Sequence, residues 1–172
     1  MVAPSTQAAV TVRHTATHRT KRSVSHVLSV LKAHDKTCDS GCKYRAPDVA
    51  RSVVLRHRHT PKLYYIWIHV EAVKDSRSFQ RISIVGSGDK VVFNVQMPSR
   101  SEIEDLERHT SYEHDTLLDG LRVTITLTRT AGVTSIRYDA EASASGMFGM
   151  FEGVIKKSLK ANGEAIFANV DK

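Results

Sequence analysis

Three groups of side chains in this sequence could do chemistry. His57, His59 and His69 fall on two neighbouring strand-like stretches, and His57 and His59 share a face, so a shielded pair could move protons on a bound molecule. Arg56 and Arg58 surround them, and the plainer reading is a solvated edge. Glu71 stands on the face of Tyr65 and Trp67, where an inward carboxylate needs a histidine or arginine partner and could orient a polar ligand group. His57, His69 and Glu71 are therefore the candidates for acid–base work. His34, Cys38 and Cys42 recur at intervals of four, a spacing that puts nitrogen and sulfur donors on one helical face. Three donors leave a structural zinc site incomplete, and Asp39-Ser40-Gly41 is turn chemistry that breaks the helix. Cys38 and Cys42 thus read as ordinary thiols, with a disulfide between them as the alternative that their spacing allows, and neither a metal nor another cofactor is expected.

Other constellations fail on spacing. Gly86-Ser87-Gly88-Asp89-Lys90 has the glycines of an anion-cradling loop but neither the following helix nor the P-loop pattern, which leaves a hairpin turn. Glu113, His114 and Asp115 are adjacent on a strand-like stretch, so their side chains alternate between faces and do not converge as a triad. No serine lies in the Gly-x-Ser-x-Gly context of a nucleophile elbow.

The chain of 172 residues is long enough for one domain with its own core, and 1–172 is read as a single unit with residues 1–8 as a flexible tail. No apolar run approaches the about 18 residues of a membrane span. With only two cysteines, close together, and no apolar leader after Met1, a reducing, cytoplasmic setting is expected. The competing reading is organelle targeting, because residues 1–34 hold no acidic side chain but include Arg13, Arg19, Lys21, Arg22 and Lys32. The net charge of +7 suits an anionic partner, yet no aromatics are interleaved with the basic residues for base stacking. Nucleic acid is the less favoured partner.

The elements that must position these residues follow from periodicity. Val10, Val12, His14 and Ala16 alternate with polar neighbours as a first strand, and Val24, Val27, Leu28 and Leu31 recur as a helix capped by Thr20 or Ser23. Residues 38–47 read as a loop. Strands are expected over 52–59 and 63–73 around Thr60-Pro61-Lys62, the second apolar on both faces and so covered on both sides. Residues 79–85 and 91–97 form a hairpin, and Ser101 with Glu104 fits a capping box for a short surface helix to His109. Strands over 112–118 and 121–129 meet at Asp119-Gly120, and a last strand carries Ile136, Tyr138 and Ala140 inward. Met147, Phe148, Phe151, Val154, Ile155, Leu159, Ile166 and Phe167 make a wide apolar helical stripe to the end of the chain.

This order, together with the run from Leu121 through Thr130-Ala131-Gly132 and Glu141 into a helix starting near Gly146, resembles the helix-grip superfamily called SRPBCC. That group includes START-like lipid-transfer domains, polyketide cyclase-like proteins and the birch-pollen-allergen fold. The resemblance covers nearly the whole chain and rests on element order rather than a diagnostic motif. It implies an α+β fold in which a curved antiparallel sheet wraps a long C-terminal helix, enclosing an apolar cavity. On that basis the expected ligand is an apolar or amphipathic small molecule, lipid or polyketide-like, lined by Tyr65, Trp67, Tyr138, Met147, Phe148, Phe151 and Ile155. Gly146, Gly149 and Gly153 on one helical flank mark close approach or open space, and Met147 and Met150 offer adaptable surface. The alternatives are a cyclase- or hydrolase-like enzyme on the same scaffold and an interaction protein that uses its basic N-terminal segment, with a homodimer through an open sheet edge as a further partner mode.

Overall fold

In the computed structural model, which describes residues 9–34, 38, 49–71, 75–145 and 151–172, seven strands and three helices follow one another along the chain. They are β1 (Val10–Thr20), α1 (Val24–His34), β2 (Val49–Val54), β3 (Leu63–Glu71), β4 (Asp75–Ser87), β5 (Lys90–Gln96), α2 (Arg100–His109), β6 (Gly120–Thr130), β7 (Val133–Ala144) and α3 (Glu152–Val170). The strands form one curved antiparallel sheet in the order β1-β7-β6-β5-β4-β3-β2. From β2 to β7 consecutive strands are antiparallel neighbours, β5 and β6 being joined through α2, while β1 crosses over to pair with β7 along its whole length, Val10 opposite Ala144 and Thr20 opposite Thr134.

The period of two dictates which side chains face inward. In β6, Val123, Ile125 and Leu127 are buried while Arg122 and Thr128 are exposed. Opposite them, Ile136, Tyr138 and Ala140 of β7 and Val91 and Phe93 of β5 continue the same apolar face. The β6–β7 turn is made by Ala131 and Gly132, both at positive φ (49° and 77°), as a two-residue type I′ hairpin requires. α1 and α3 cover this inner face: Val24, Val27 and Leu31 of α1 and Leu159, Ile166 and Val170 of α3 join the strands in one core. The cap of α1 is Ser23, whose hydroxyl accepts from the His26 N–H at 3.1 Å.

α2 lies on the other side of the sheet. Leu106 is buried against Leu55, Tyr65, Trp67 and Phe79, with Val53, Ile103 and Tyr112 around them, in a second apolar cluster. β3 is thus covered on both faces, as its doubly apolar pattern requires. The capping box of α2 sits two residues earlier than Ser101 and Glu104: the Ser99 side chain accepts from the Glu102 N–H, and the Glu102 carboxylate accepts from the Ser99 N–H at 2.7 Å.

Two strand expectations need correction. The strand read over 52–59 is β2 at Val49–Val54, and the chain turns away at His57 and Arg58, the latter at φ 54°. Residues 112–118 are not a strand but a crossing segment whose one bridge, Asp115 to Arg77, hydrogen-bonds in both directions at 2.7 and 2.8 Å. β5 pairs β4 only from Arg81 onward, and this segment meets part of the β4 edge left open before it. Residues 1–8 and residues 39–47 of the expected loop lie outside the described residues.

Candidate functional site

The inner face is where the sheet meets the C-terminal helix. α3 packs along β1 and β7 and against α1, and α1 lies on β5 and β6. The closest approach is at Gly163, where an added Cβ would stand 3.1 Å from the Tyr138 ring, so glycine lets the helix backbone seat directly on that ring. Tyr138 is fully buried; its hydroxyl donates to the Leu159 carbonyl at 3.0 Å and accepts from the Asn162 side-chain amide at 3.1 Å. Burial pushes its pKa up to about 12, so it is a neutral donor throughout the physiological range. Toward β2, β3 and β4 the inner face stays apolar, with Tyr64, Ile66, Ile68, Ile82 and Ile84 buried and Val49, Val54 and Val70 half-buried. Polar groups also enter this face, buried Thr20, Ser52 and Thr134 among them. His14 shares the inward register of Val12, its ring 6.1 Å from that of Tyr138, and Ser76, Ser78 and Gln80 share the register of Ile82 and Ile84.

On the outer face, polar contacts fasten α2 to the sheet. The Tyr65 hydroxyl donates to Glu102 Oε1 at 2.6 Å, and Arg81 Nε lies 3.4 Å from the same oxygen. Burial and the Glu102 carboxylate raise the Tyr65 pKa. For Glu102, burial acts upward but is outweighed by hydrogen bonds from Tyr65 and Ser99 and by the Arg81 charge, so its pKa falls below the usual value. Trp67 Nε1 donates to the Glu113 carbonyl at 3.0 Å, and its ring stacks on Tyr112 at 4.7 Å with the Arg51 guanidinium over both rings. The Phe79 N–H donates to Nδ1 of His114, which burial keeps below the ordinary histidine pKa, and the Glu107 carboxylate accepts from the His114 N–H.

The structure separates the residues singled out in the sequence. Tyr138 and Ile155 belong to the inner core and Phe151 stands half-buried at the start of α3. Met147 and Phe148, like Gly146 and Gly149, lie outside the described residues, while an added Cβ on Gly153 would meet nothing within 4 Å. Tyr65 and Trp67 are on the outer face under α2, so they do not share a surface with Tyr138 and Ile155, and their assignment to one cavity is corrected. β3 is apolar on both faces, and its pattern alone could not say which one meets the terminal helix.

The three acid–base candidates are likewise outside. His57 reaches Asp105 of α2 at 2.9 Å, His59 stacks on Tyr64, and His69 and Glu71 share the outward register of Trp67, with His69 Nε2 3.7 Å from Asp75. No pair among His57, His59 and His69 meets, and none of His57, His69 and Glu71 faces α3. Periodicity could not reveal the groupings that do form, His57 with Asp105 and His109 and His69 with Glu71 and Asp75, because the first joins a turn to a helix 48 residues away. Cys38 is disulfide-bonded and its backbone pairs with that of Ser52, which corrects its reading as an ordinary thiol; Cys42 lies outside the described residues. An open pocket of about 260 Å³ lies at the ends of β5, β6 and β7, where Gln96, Arg122 and Glu141 give it a polar lining distinct from the inner face.

A curved antiparallel sheet gripping a C-terminal helix, with a helix inserted after the first strand, is the helix-grip fold of the START-like, or SRPBCC, proteins, and this chain has that fold. Solved structures similar to it include a STAR-related lipid transfer protein fragment from Xanthomonas axonopodis (15% identity, TM-score 0.63, covering 92% of this chain and 85% of that one). The Zhui aromatase/cyclase from Streptomyces sp. R1128 matches at 14% identity and TM-score 0.59, over 95% of this chain and 94% of that one. A START superfamily protein from Mycobacterium smegmatis matches at 9% identity and TM-score 0.55, over 92% and 96%. No family model and no curated protein sequence matches the chain. Among the described residues, no helix is long and apolar enough to cross a membrane.

Proposed function

We propose that the protein binds an apolar or amphipathic small molecule between the inner face of the sheet and α3. The observation that carries this reading is the width of the apolar inner face. Among the described residues, the strand positions on this face from Val12 and Tyr138 across to Ile66 and Val70 carry no charged side chain, while α3 and α1 pack chiefly on its β1, β7, β6 and β5 side. Half-buried Val49, Val54 and Val70 mark its other side. A hydrocarbon portion is stabilised there by about 25 cal/mol for each Å² removed from water. His14, Ser76, Ser78 and Gln80 on the same face favour a molecule with polar groups over a pure hydrocarbon. Lipid transfer and aromatase/cyclase activity, named for proteins of this fold, supply the two ligand classes to try first, lipids and aromatic polyketide-like compounds.

Tyr138, Ile155 and Phe151 are the proposed lining, with Met147 and Phe148 as further members. Binding rather than catalysis is the favoured role, because His57, His69 and Glu71 stand outside this face. Native mass spectrometry of the purified chain, under gentle and then denaturing conditions, tests the reading. A discrete small-molecule adduct released on unfolding is expected; an adduct-free protein that also ignores a panel of fatty acids and aromatic polyketides overturns it.

A further inference from the structure

His57, Asp105 and His109 stand together at the outer end of α2, away from the inner face. Asp105 and His109 are one helical turn apart, a spacing that aims two side chains at one point, and His57 enters from the turn that follows β2. His57 Nε2 lies 2.9 Å from Asp105 Oδ2, and His109 Nδ1 lies 3.3 Å from Asp105 Oδ1. One donor atom from each of the three residues falls within 4.8 Å of the others; the two imidazoles stack at 4.3 Å with their planes 10° apart, so one ring must turn for both nitrogens to aim at one ion. Donors about 2.0–2.1 Å from a tetrahedral zinc ion are themselves separated by about 3.3 Å; the two histidine–carboxylate distances, each to a different oxygen of Asp105, are near this value.

From this geometry we infer that His57, Asp105 and His109 form a site for one transition-metal dication, Zn²⁺ foremost, with water completing the coordination. Two imidazoles and one carboxylate suit zinc, cobalt or nickel; calcium and magnesium need shells of oxygen that this cluster does not supply. The ion would replace the hydrogen bonds that the carboxylate now accepts and the 2.8 Å bond between His109 Nδ1 and the Asp105 main-chain carbonyl, and would tie the β2–β3 turn to α2. Its local competitors are Arg58 Nε at 3.3 Å and Arg108 at 3.7 Å from the Asp105 carboxylate. Both guanidiniums belong to largely exposed side chains, which can turn into water when a dication arrives. The second grouping, His69 with Glu71 and Asp75, is looser, with 3.7 Å between His69 and Asp75, and both of its carboxylate residues are exposed.

Calorimetric titration of the full chain with Zn²⁺ at about pH 7.5 tests the site. Co²⁺ absorption in the visible range reports the coordination. One equivalent should bind well above the weak background expected from nine histidines. His57→Gln, Asp105→Asn and His109→Gln should each weaken it by about tenfold or more. Arg58→Ala should bind at least as tightly as the parent, because a competing cation is gone. His109 is half-exposed, so His109→Gln keeps the test readable even where loss of Asp105 loosens α2. The proposal is overturned by no binding up to about 100 µM zinc. It is equally overturned by an affinity unchanged in both histidine variants, or by loss of the site in His69→Gln instead.

Discussion

On its inner face β3 gives Tyr64, Ile66 and Ile68 to a core shared by all seven strands, α1 and α3; on its outer face it gives Tyr65 and Trp67 to a cluster closed by the short α2 and the crossing segment 110–118. The two layers are held differently. The inner one is nearly all apolar, with Tyr138 bonded to α3 and Thr134 to the Arg22 carbonyl among its buried polar contacts. The outer one combines a few large rings with hydrogen bonds and ion pairs: Tyr65 to Glu102, His57 to Asp105, Trp67 to the Glu113 carbonyl and the Phe79 N–H to His114. An apolar surface with few directional demands can accept a guest of variable shape, whereas a polar fastening fixes one geometry. On the proposed reading the inner layer holds the ligand and the outer one is a structural fastening.

Truncation on each side tests the contrast most strongly. Phe79 and Leu127 are fully buried, one in each layer, and Phe79→Ala should cost about 3–5 kcal/mol and Leu127→Ala about 2–5 kcal/mol. Denaturant unfolding gives both losses, and amide exchange separates them. Phe79→Ala should speed exchange first in α2, while Leu127→Ala should speed it across the sheet. Equal protection losses in both variants would merge the two layers into one cooperative unit.

A smaller effect is expected where α3 meets Tyr138. Gly163→Val places a branched side chain against a ring already 3.1 Å from an added Cβ and should cost about 1–3 kcal/mol, read as a lowered urea midpoint. No loss there would mean that α3 is not seated on the ring.

The smallest effect concerns pH and belongs to the outer layer alone. Burial holds the His114 pKa below 6.5, and its neutral Nδ1 accepts from the Phe79 N–H. Above about pH 6.5 both folded and unfolded chains carry the neutral ring, so this contribution is fully present. As pH falls from there through the lowered folded value, the unfolded chain takes up the proton first and stability is lost. His114→Asn, which keeps an acceptor near Nδ1, should flatten that decline in urea midpoint as pH falls below about 6.5. Identical slopes for parent and variant would remove His114 from the account.

Much of the scaffold was legible because solvent touches one side of most strands. Leu121, Val123, Ile125 and Leu127 alternating with Arg122, Thr124, Thr126 and Thr128 declare β6, and Val24, Val27, Leu28 and Leu31 declare α1. The same logic fails at β3, where both registers are apolar and the choice of face needs the position of α3; hence Tyr65 and Trp67 were expected on the ligand side. Ser99 and Ser101 each precede a glutamate by three residues, so a capping box was visible and its frame was not. Residues 112–118 alternate like a strand, but Tyr112 stacks on Trp67 and Asp115 bridges Arg77, and these contacts hold the segment across the sheet edge. The His57–Asp105–His109 group depends on a tertiary meeting that no local pattern encodes.

The most direct test of the division between layers is the affinity for a fluorescent fatty acid, or for any ligand that co-purifies, measured on one inner and one outer variant. Ile155→Trp adds bulk to the inner layer and should weaken binding by about tenfold or more, whereas Trp67→Leu, confined to the outer cluster, should stay within about twofold of the parent. The reverse ranking, or equal losses, would contradict the placement of the ligand between the sheet and α3.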